Sequence, residues 1–127
     1  MRRRSVFGLT IVFALVLAAC GGGGDGGGLD GEELFSQTVL EGQAGCVTCH
    51  SLSPDQVLVG PSLATIGSEA GSRVEGLDAE GYIRQSIVDP GAHVVEGFAD
   101  NLMPTWGEIL SDSQVSALVD YLLTLRG

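Results

Sequence analysis

The sequence predicts a small helical domain, and three observations carry that expectation. Helix-start signals stand at Asp30, Asp78 and Ser111. The stretch after Ser111 repeats its apolar residues with helical period, while the only β-branched runs, around Val57–Val59 and Val94–Val95, are too short to promise a sheet. A chain of 127 residues has room for one domain.

The amino end stands apart from that domain. Arg2, Arg3 and Arg4 precede a 14-residue uncharged run from Val6 to Ala19, which closes on Leu17-Ala18-Ala19-Cys20. This is the pattern of a lipoprotein signal peptide over residues 1–19, removed by cleavage before Cys20, whose thiol then takes lipid. The run falls short of the ~18 residues that a membrane-spanning helix needs. Residues 20–28 follow as the lipidated cysteine and a tether, all glycine from Gly21 to Gly28 apart from Asp25. Such a segment buries no apolar area and reaches roughly 15 Å. On this reading the domain, residues 29–127, hangs from the extracytoplasmic side of a bacterial membrane. The plain alternative is a secreted protein with a spare thiol.

Within the domain, Asp30-Gly31-Glu32-Glu33 resembles a capping box and opens a first helix with negative charge near its amino end. Leu34, Phe35 and Val39 supply its apolar face, and Gly42 and Gly45 mark its end. From Pro54 to Gly71 the chain is turn-rich, with a bend at Gly60-Pro61 and a short helical piece expected over Ser62 to Ile66. Asp78 caps a second helix to about Val88, where Tyr82, Ile83 and Ile87 form a partial stripe before Asp89-Pro90-Gly91 stops it. A long loop runs from Asp89 to Glu108, and loops of that length in compact domains are usually functional. In the last helix, Ser111 and Gln114 form a capping box and Val115, Leu118, Val119 and Leu122 recur at helical spacing. Arg126 would complement the dipole at its end.

Charge narrows the partners. All 16 acidic residues follow the leader, against Arg73, Arg84 and Arg126 and no lysine, a formal charge of −13 for a chain starting at Cys20. Nucleic acid and anionic lipid surfaces would be repelled by it. A protein with a basic docking patch is the natural complement. No Ser-His-Asp set, phosphate loop or paired-carboxylate motif stands out, so neither an enzyme nor a small-molecule substrate is expected.

Of three cysteines, Cys20 belongs to the leader and the other two lie in Cys46-Val47-Thr48-Cys49-His50. C-x-x-C-H is the attachment signature of c-type haem. One turn of chain presents two sulfurs to the two porphyrin vinyl groups, and the adjacent histidine aims its imidazole at the iron. Export fits, since this haem is attached outside the cytoplasm. A thioredoxin-like site would need a βαβ context, structural zinc would need a fourth ligand beyond Cys46, Cys49 and one of His50 or His93, and a plain disulfide is the remaining alternative.

A haem held by His50 leaves its other face open. The chain after the leader has one methionine, Met103, which lies 53 residues beyond His50 in the long loop and is followed by Pro104. Met103 is the expected distal ligand, with core filling as the bland reading. His93 is the other candidate, expected as a solvent-side loop histidine. Trp106 and Phe98 are expected to cover the haem on the methionine side, and Arg84 or Arg73 to pair with a propionate.

Together these residues, from about Gly31 to Leu125, resemble a class I c-type cytochrome, similar to small bacterial lipoprotein cytochromes and to the domains associated with haem–copper oxidases. The resemblance rests on Gly31 and Phe35, Cys46 to His50, Gly60-Pro61-Ser62-Leu63, Tyr82 to Pro90, Met103-Pro104 and Tyr121. It implies an all-α cytochrome c fold, three to five helices wrapped around one covalently bound haem c, with the first and last crossing where Gly31 and Phe35 meet Tyr121. It also implies that the Pro61 carbonyl accepts the ring N–H of His50. Phe35 lies 11 residues before Cys46, further than the family's usual spacing, so an extended first helix or an extra loop is expected there. The usual lysine-rich docking face is absent. The implied role is an electron carrier between membrane-bound respiratory or photosynthetic complexes, with proximal His50 and distal Met103. The alternatives are a fixed cytochrome subunit of such a complex, and a gas-binding or sensing protein with five-coordinate haem.

Overall fold

The computed structural model describes residues 28–127. The leader, Cys20 and Gly21 to Gly27 lie outside the described residues. No helix among the described residues is long and apolar enough to cross a membrane.

Helix α1 is Gly31–Ser36. Asp30 accepts the Glu33 backbone N–H at 2.9 Å, and the Glu33 carboxylate reaches back to the Asp30 N–H at 3.3 Å, so two orphan donors are satisfied reciprocally. The helix stops at Ser36, well before Gly42. Strands β1 (Val39–Leu40) and β2 (Gln43–Ala44) follow, paired antiparallel with Val39 opposite Ala44 and Leu40 opposite Gln43. Glu41 and Gly42 both take positive φ, 48° and 79°, as a two-residue hairpin turn requires. This hairpin is the extra loop that the long Phe35–Cys46 spacing demands. It also corrects the expected role of Val39, which is exposed on a strand while Leu40 turns inward.

After the hairpin, helix α2 is the single turn Cys46–Cys49. Helix α3, Ile66–Glu69, runs on into a 3₁₀ turn at Ala70–Ser72. It starts where the expected helical piece over Ser62 to Ile66 ends. The Leu63 N–H is committed to the Ser51 carbonyl at 2.9 Å rather than to a helical partner. Helix α4 is Ala79–Val88, capped by Asp78 through the Gly81 N–H at 2.8 Å, and it buries Tyr82, Ile83 and Ile87. The long loop is broken by 3₁₀ turns at Pro90–Ala92 and Trp106–Glu108. Helix α5, Asp112–Thr124, carries the expected Ser111–Gln114 capping box and buries Val115, Leu118, Val119 and Leu122. Its last turn holds no basic residue. Arg126 lies beyond the helix end, where its carbonyl accepts from the Ser68 hydroxyl at 3.3 Å.

The architecture is helical, with α5 packed on α1, α3 and α4. The crossing of α1 and α5 needs a glycine. A Cβ at Gly31 would fall on the Ala117 carbonyl and within 2.7 Å of the Tyr121 Cβ. One turn further along, the Phe35 and Tyr121 rings sit 5.8 Å apart at 51°, an inclined aromatic pair that fills the rest of the contact. The Gly67 N–H donates to the Leu125 carbonyl at 2.8 Å and ties α3 to the chain end.

Gly31→Ala forces these two backbones apart and should cost about 1–3 kcal/mol of stability, read as a lower urea midpoint. A midpoint equal to the parent's would show that the crossing does not depend on that close approach.

Candidate functional site

The base of the hairpin fixes the start of α2. The Gly45 N–H donates to the Thr38 carbonyl at 2.9 Å, and the Thr48 hydroxyl donates back to the Gly45 carbonyl at 2.6 Å. The turn closes with the His50 N–H on the Cys46 carbonyl at 2.8 Å. Cys46 and Cys49 form no disulfide, and both are half-buried. Burial is the main cause that pushes the Cys46 thiol above its ordinary pKa, and the neighbouring Cys49 adds to it while a backbone hydrogen bond opposes. Among the described residues, no three His, Cys, Asp or Glu side chains are grouped to hold a metal ion.

Immediately after this turn, the His50 ring is confined from two sides. Its Nδ1 lies 2.9 Å from the Pro61 carbonyl oxygen. As a neutral imidazole it donates there, which leaves the Nε2 lone pair free for a ligand bond. Burial holds the His50 pKa below its ordinary value, opposed in part by the Pro61 carbonyl, so the neutral form that ligates is favoured. Gly60 lies against the same ring. A Cβ there would meet Cε1 at 2.5 Å, Nδ1 at 2.8 Å and Nε2 at 3.1 Å, so only glycine leaves the imidazole in place. The Gly60 N–H is itself fastened to the Cys49 carbonyl at 2.8 Å.

Cys46, Cys49 and His50 open onto a cleft of about 320 Å³. Met103, Pro61, Phe98 and Trp106 line the same cleft, so residues as far apart in the chain as Cys46 and Trp106 meet in one place. At its inner end a small cavity of about 30 Å³ is walled by Phe35, Ile87, Leu118 and Leu122 as well as by His50 and Met103. The cleft therefore reaches the packed core. Trp106 is buried and Phe98 half-buried.

Two expected residues lie elsewhere or behave differently. Arg84 does not line the cleft; its guanidinium donates to the Ser116 hydroxyl on α5 at 3.0 Å. Arg73 does line it, and its Nη2 sits 2.6 Å from Glu69. His93 lines the cleft too. It is half-buried, with its ring edge-on to Tyr82 at 5.8 Å, rather than free in solvent. The sequence signals did not pick out the contact of Gly60 with the imidazole, although the Gly60-Pro61 bend marked the segment. Nor did they pick out Ser51, the only buried polar residue among those described.

The donor set fits one kind of occupant. Two thiols on a single helical turn, a histidine with a free Nε2, a thioether in the same cleft and a largely apolar wall that also carries Arg73, Asp89 and Asp100 suit a planar, mostly apolar iron macrocycle. The fold and the site thus define a c-type haem protein. The model of the family described as cytochrome c matches residues 29–126 of the chain. The protein belongs to the cytochrome c family, and its cofactor is covalently attached haem c. Matched one against one with curated proteins, the chain finds no counterpart.

Proposed function

We propose that this cytochrome carries single electrons between membrane-bound respiratory or photosynthetic complexes, with its haem in a low-spin state. In this reading Cys46 and Cys49 form the two thioethers, His50 is the proximal ligand and Met103 the distal one. One observation carries it: Met103 lines the cleft onto which His50 opens, although 53 residues separate them in the chain. Haem, when bound, supplies one-electron exchange between ferric and ferrous iron.

The chain's own residues do the rest. Pro61 and Gly60 set the tilt of His50, so the ligand does not have to reorganise as charge changes. Met103 stabilises the ferrous state relative to a second nitrogen ligand and raises the potential. Pro104, next to it, stiffens the loop that presents the thioether. Phe98 and Trp106 exclude water on their side of the cleft. Of the two arginines expected near a propionate, Arg73 lines the cleft and takes that role in this reading.

The acidic surface selects a partner with a basic docking patch and speeds encounter with it. Lipid on Cys20 would hold the domain at the extracytoplasmic face of the membrane, with residues 20–28 as a short leash that raises its local concentration at membrane partners. A free shuttle and a fixed subunit of one complex would use this same site.

Two variants test the reading. Met103→Ala should open the distal position, so that the ferrous protein binds carbon monoxide at once, and should lower the potential; an unchanged spectrum would transfer the ligand role to His93. Cys20→Ser should release the protein from membranes with its spectrum intact, and continued membrane retention would refute the lipid anchor.

A further inference from the structure

The residue directly after the proximal histidine is the one polar side chain among those described that folding buries, at 7% exposure. Every hydrogen-bonding group that Ser51 turns toward the following loop is in use. Its hydroxyl donates to the Gln56 side-chain oxygen at 3.0 Å and accepts the Ser53 N–H at 2.9 Å. Its carbonyl accepts the Leu63 N–H at 2.9 Å. Across the loop, the Ser62 hydroxyl donates to the Ser53 carbonyl at 2.9 Å. Besides the bond from His50 to Pro61 and a longer contact of the Ser62 hydroxyl with the Ser51 carbonyl at 3.5 Å, the segment Gly60 to Leu63 is thus laced to the segment Cys49 to Ser53 by Gly60 N–H to Cys49, Leu63 N–H to Ser51, and Ser62 hydroxyl to Ser53.

Between those bonds lies Pro61, whose own nitrogen has no hydrogen to give. Its carbonyl meets His50 at 2.9 Å, so its position depends on the neighbours that are laced. Ser51 holds the near strand of this lacing from inside, because its hydroxyl fixes the turn over Ser53 to Gln56 to which Ser62 is bonded. A buried hydroxyl with both a donor and an acceptor role filled has one orientation.

We propose that Ser51 and Ser62 are positioning residues for the proximal histidine: their hydroxyls hold the Pro61 carbonyl against His50 Nδ1 and thereby set the basicity of the ring that faces the iron. The inference rests on His50 being the proximal ligand. A firm Nδ1–H···O bond makes the imidazole a stronger electron donor and favours the ferric state. Loosening the lacing lets the Pro61 carbonyl drift, weakens that bond and tips the balance to the ferrous state. A loop that merely added stability would not move this balance.

The test uses the holoprotein, expressed with haem-attachment machinery and poised at a fixed potential near the parent's midpoint. Ser51→Ala should raise the ferrous-to-ferric ratio about threefold, with low-spin ligation retained. Ser51→Thr keeps the hydroxyl and should return the ratio to the parent value. Ser62→Ala, on the half-exposed side of the loop, should move it in the same direction and decides the question if Ser51→Ala does not fold. A parent-like ratio in the alanine variants, with only a lower urea midpoint, overturns the inference and leaves the carrier reading intact. A parent protein whose haem is not low-spin and His50-bound overturns both.

Discussion

The imidazole of His50 has room for a single tilt in this domain. Gly60 lies so close to the ring that a methyl there would overlap it, and the Pro61 carbonyl accepts the Nδ1–H hydrogen bond from the adjoining side. A free Nε2 then points where the cleft allows. Much of the rest of the structure follows from keeping those two residues where they are. The hairpin β1–β2 delivers the Cys46 turn at a fixed angle, and the loop that begins at Ser51 returns the chain so that Gly60 and Pro61 face it. Helix α3 is tied to the chain end through Gly67 and Leu125, which anchors the far side of the same loop.

The crossing of α1 and α5 acts at longer range. With Gly31 against Ala117 and Phe35 against Tyr121, helices α1 and α5 are clamped together, and Phe35 and Leu118 form part of the inner wall of the cleft. The same aromatic that fills the helix crossing therefore also bounds the cofactor site. Charge is arranged differently from packing. The capping carboxylates of Asp30, Asp78 and Glu33 satisfy helix ends, while most other acids are exposed and leave a strongly anionic exterior around an apolar cleft. An electron carrier needs both: a dry interior for a small reorganisation energy and a charged exterior for fast, reversible encounter.

Much of this was legible in the sequence, for reasons that differ by element. The Cys46–His50 pentapeptide is local chemistry at fixed spacing, and α4 and α5 announce themselves through caps and period. The long Phe35–Cys46 spacing left an extended helix or an extra loop open because Val39 and Leu40 continue the apolar pattern of α1, and the pair of positive φ angles at Glu41 and Gly42 shows that the chain reverses there. The helical piece after Gly60-Pro61 was displaced to Ile66 because Leu63 gives its N–H to Ser51, a contact twelve residues apart that no local propensity encodes. Arg84 and Arg73 looked equivalent as cations; their separation comes from α4, which carries Arg84 toward Ser116 on α5. The approach of Gly60 to the imidazole and the burial of Ser51 are likewise matters of three-dimensional packing, and a glycine or serine in a turn-rich stretch gives no sign of them.

The most direct test of the central claim, that His50 and Met103 together ligate the iron of an electron-carrying haem, is an optical spectrum of the purified holoprotein, oxidised and then reduced, followed by carbon monoxide. Covalent low-spin haem, the weak far-red band of sulfur bonded to ferric iron, and no prompt response to carbon monoxide are the expected result. A high-spin spectrum that shifts at once on adding the gas would contradict it and move the protein to the ligand-binding class.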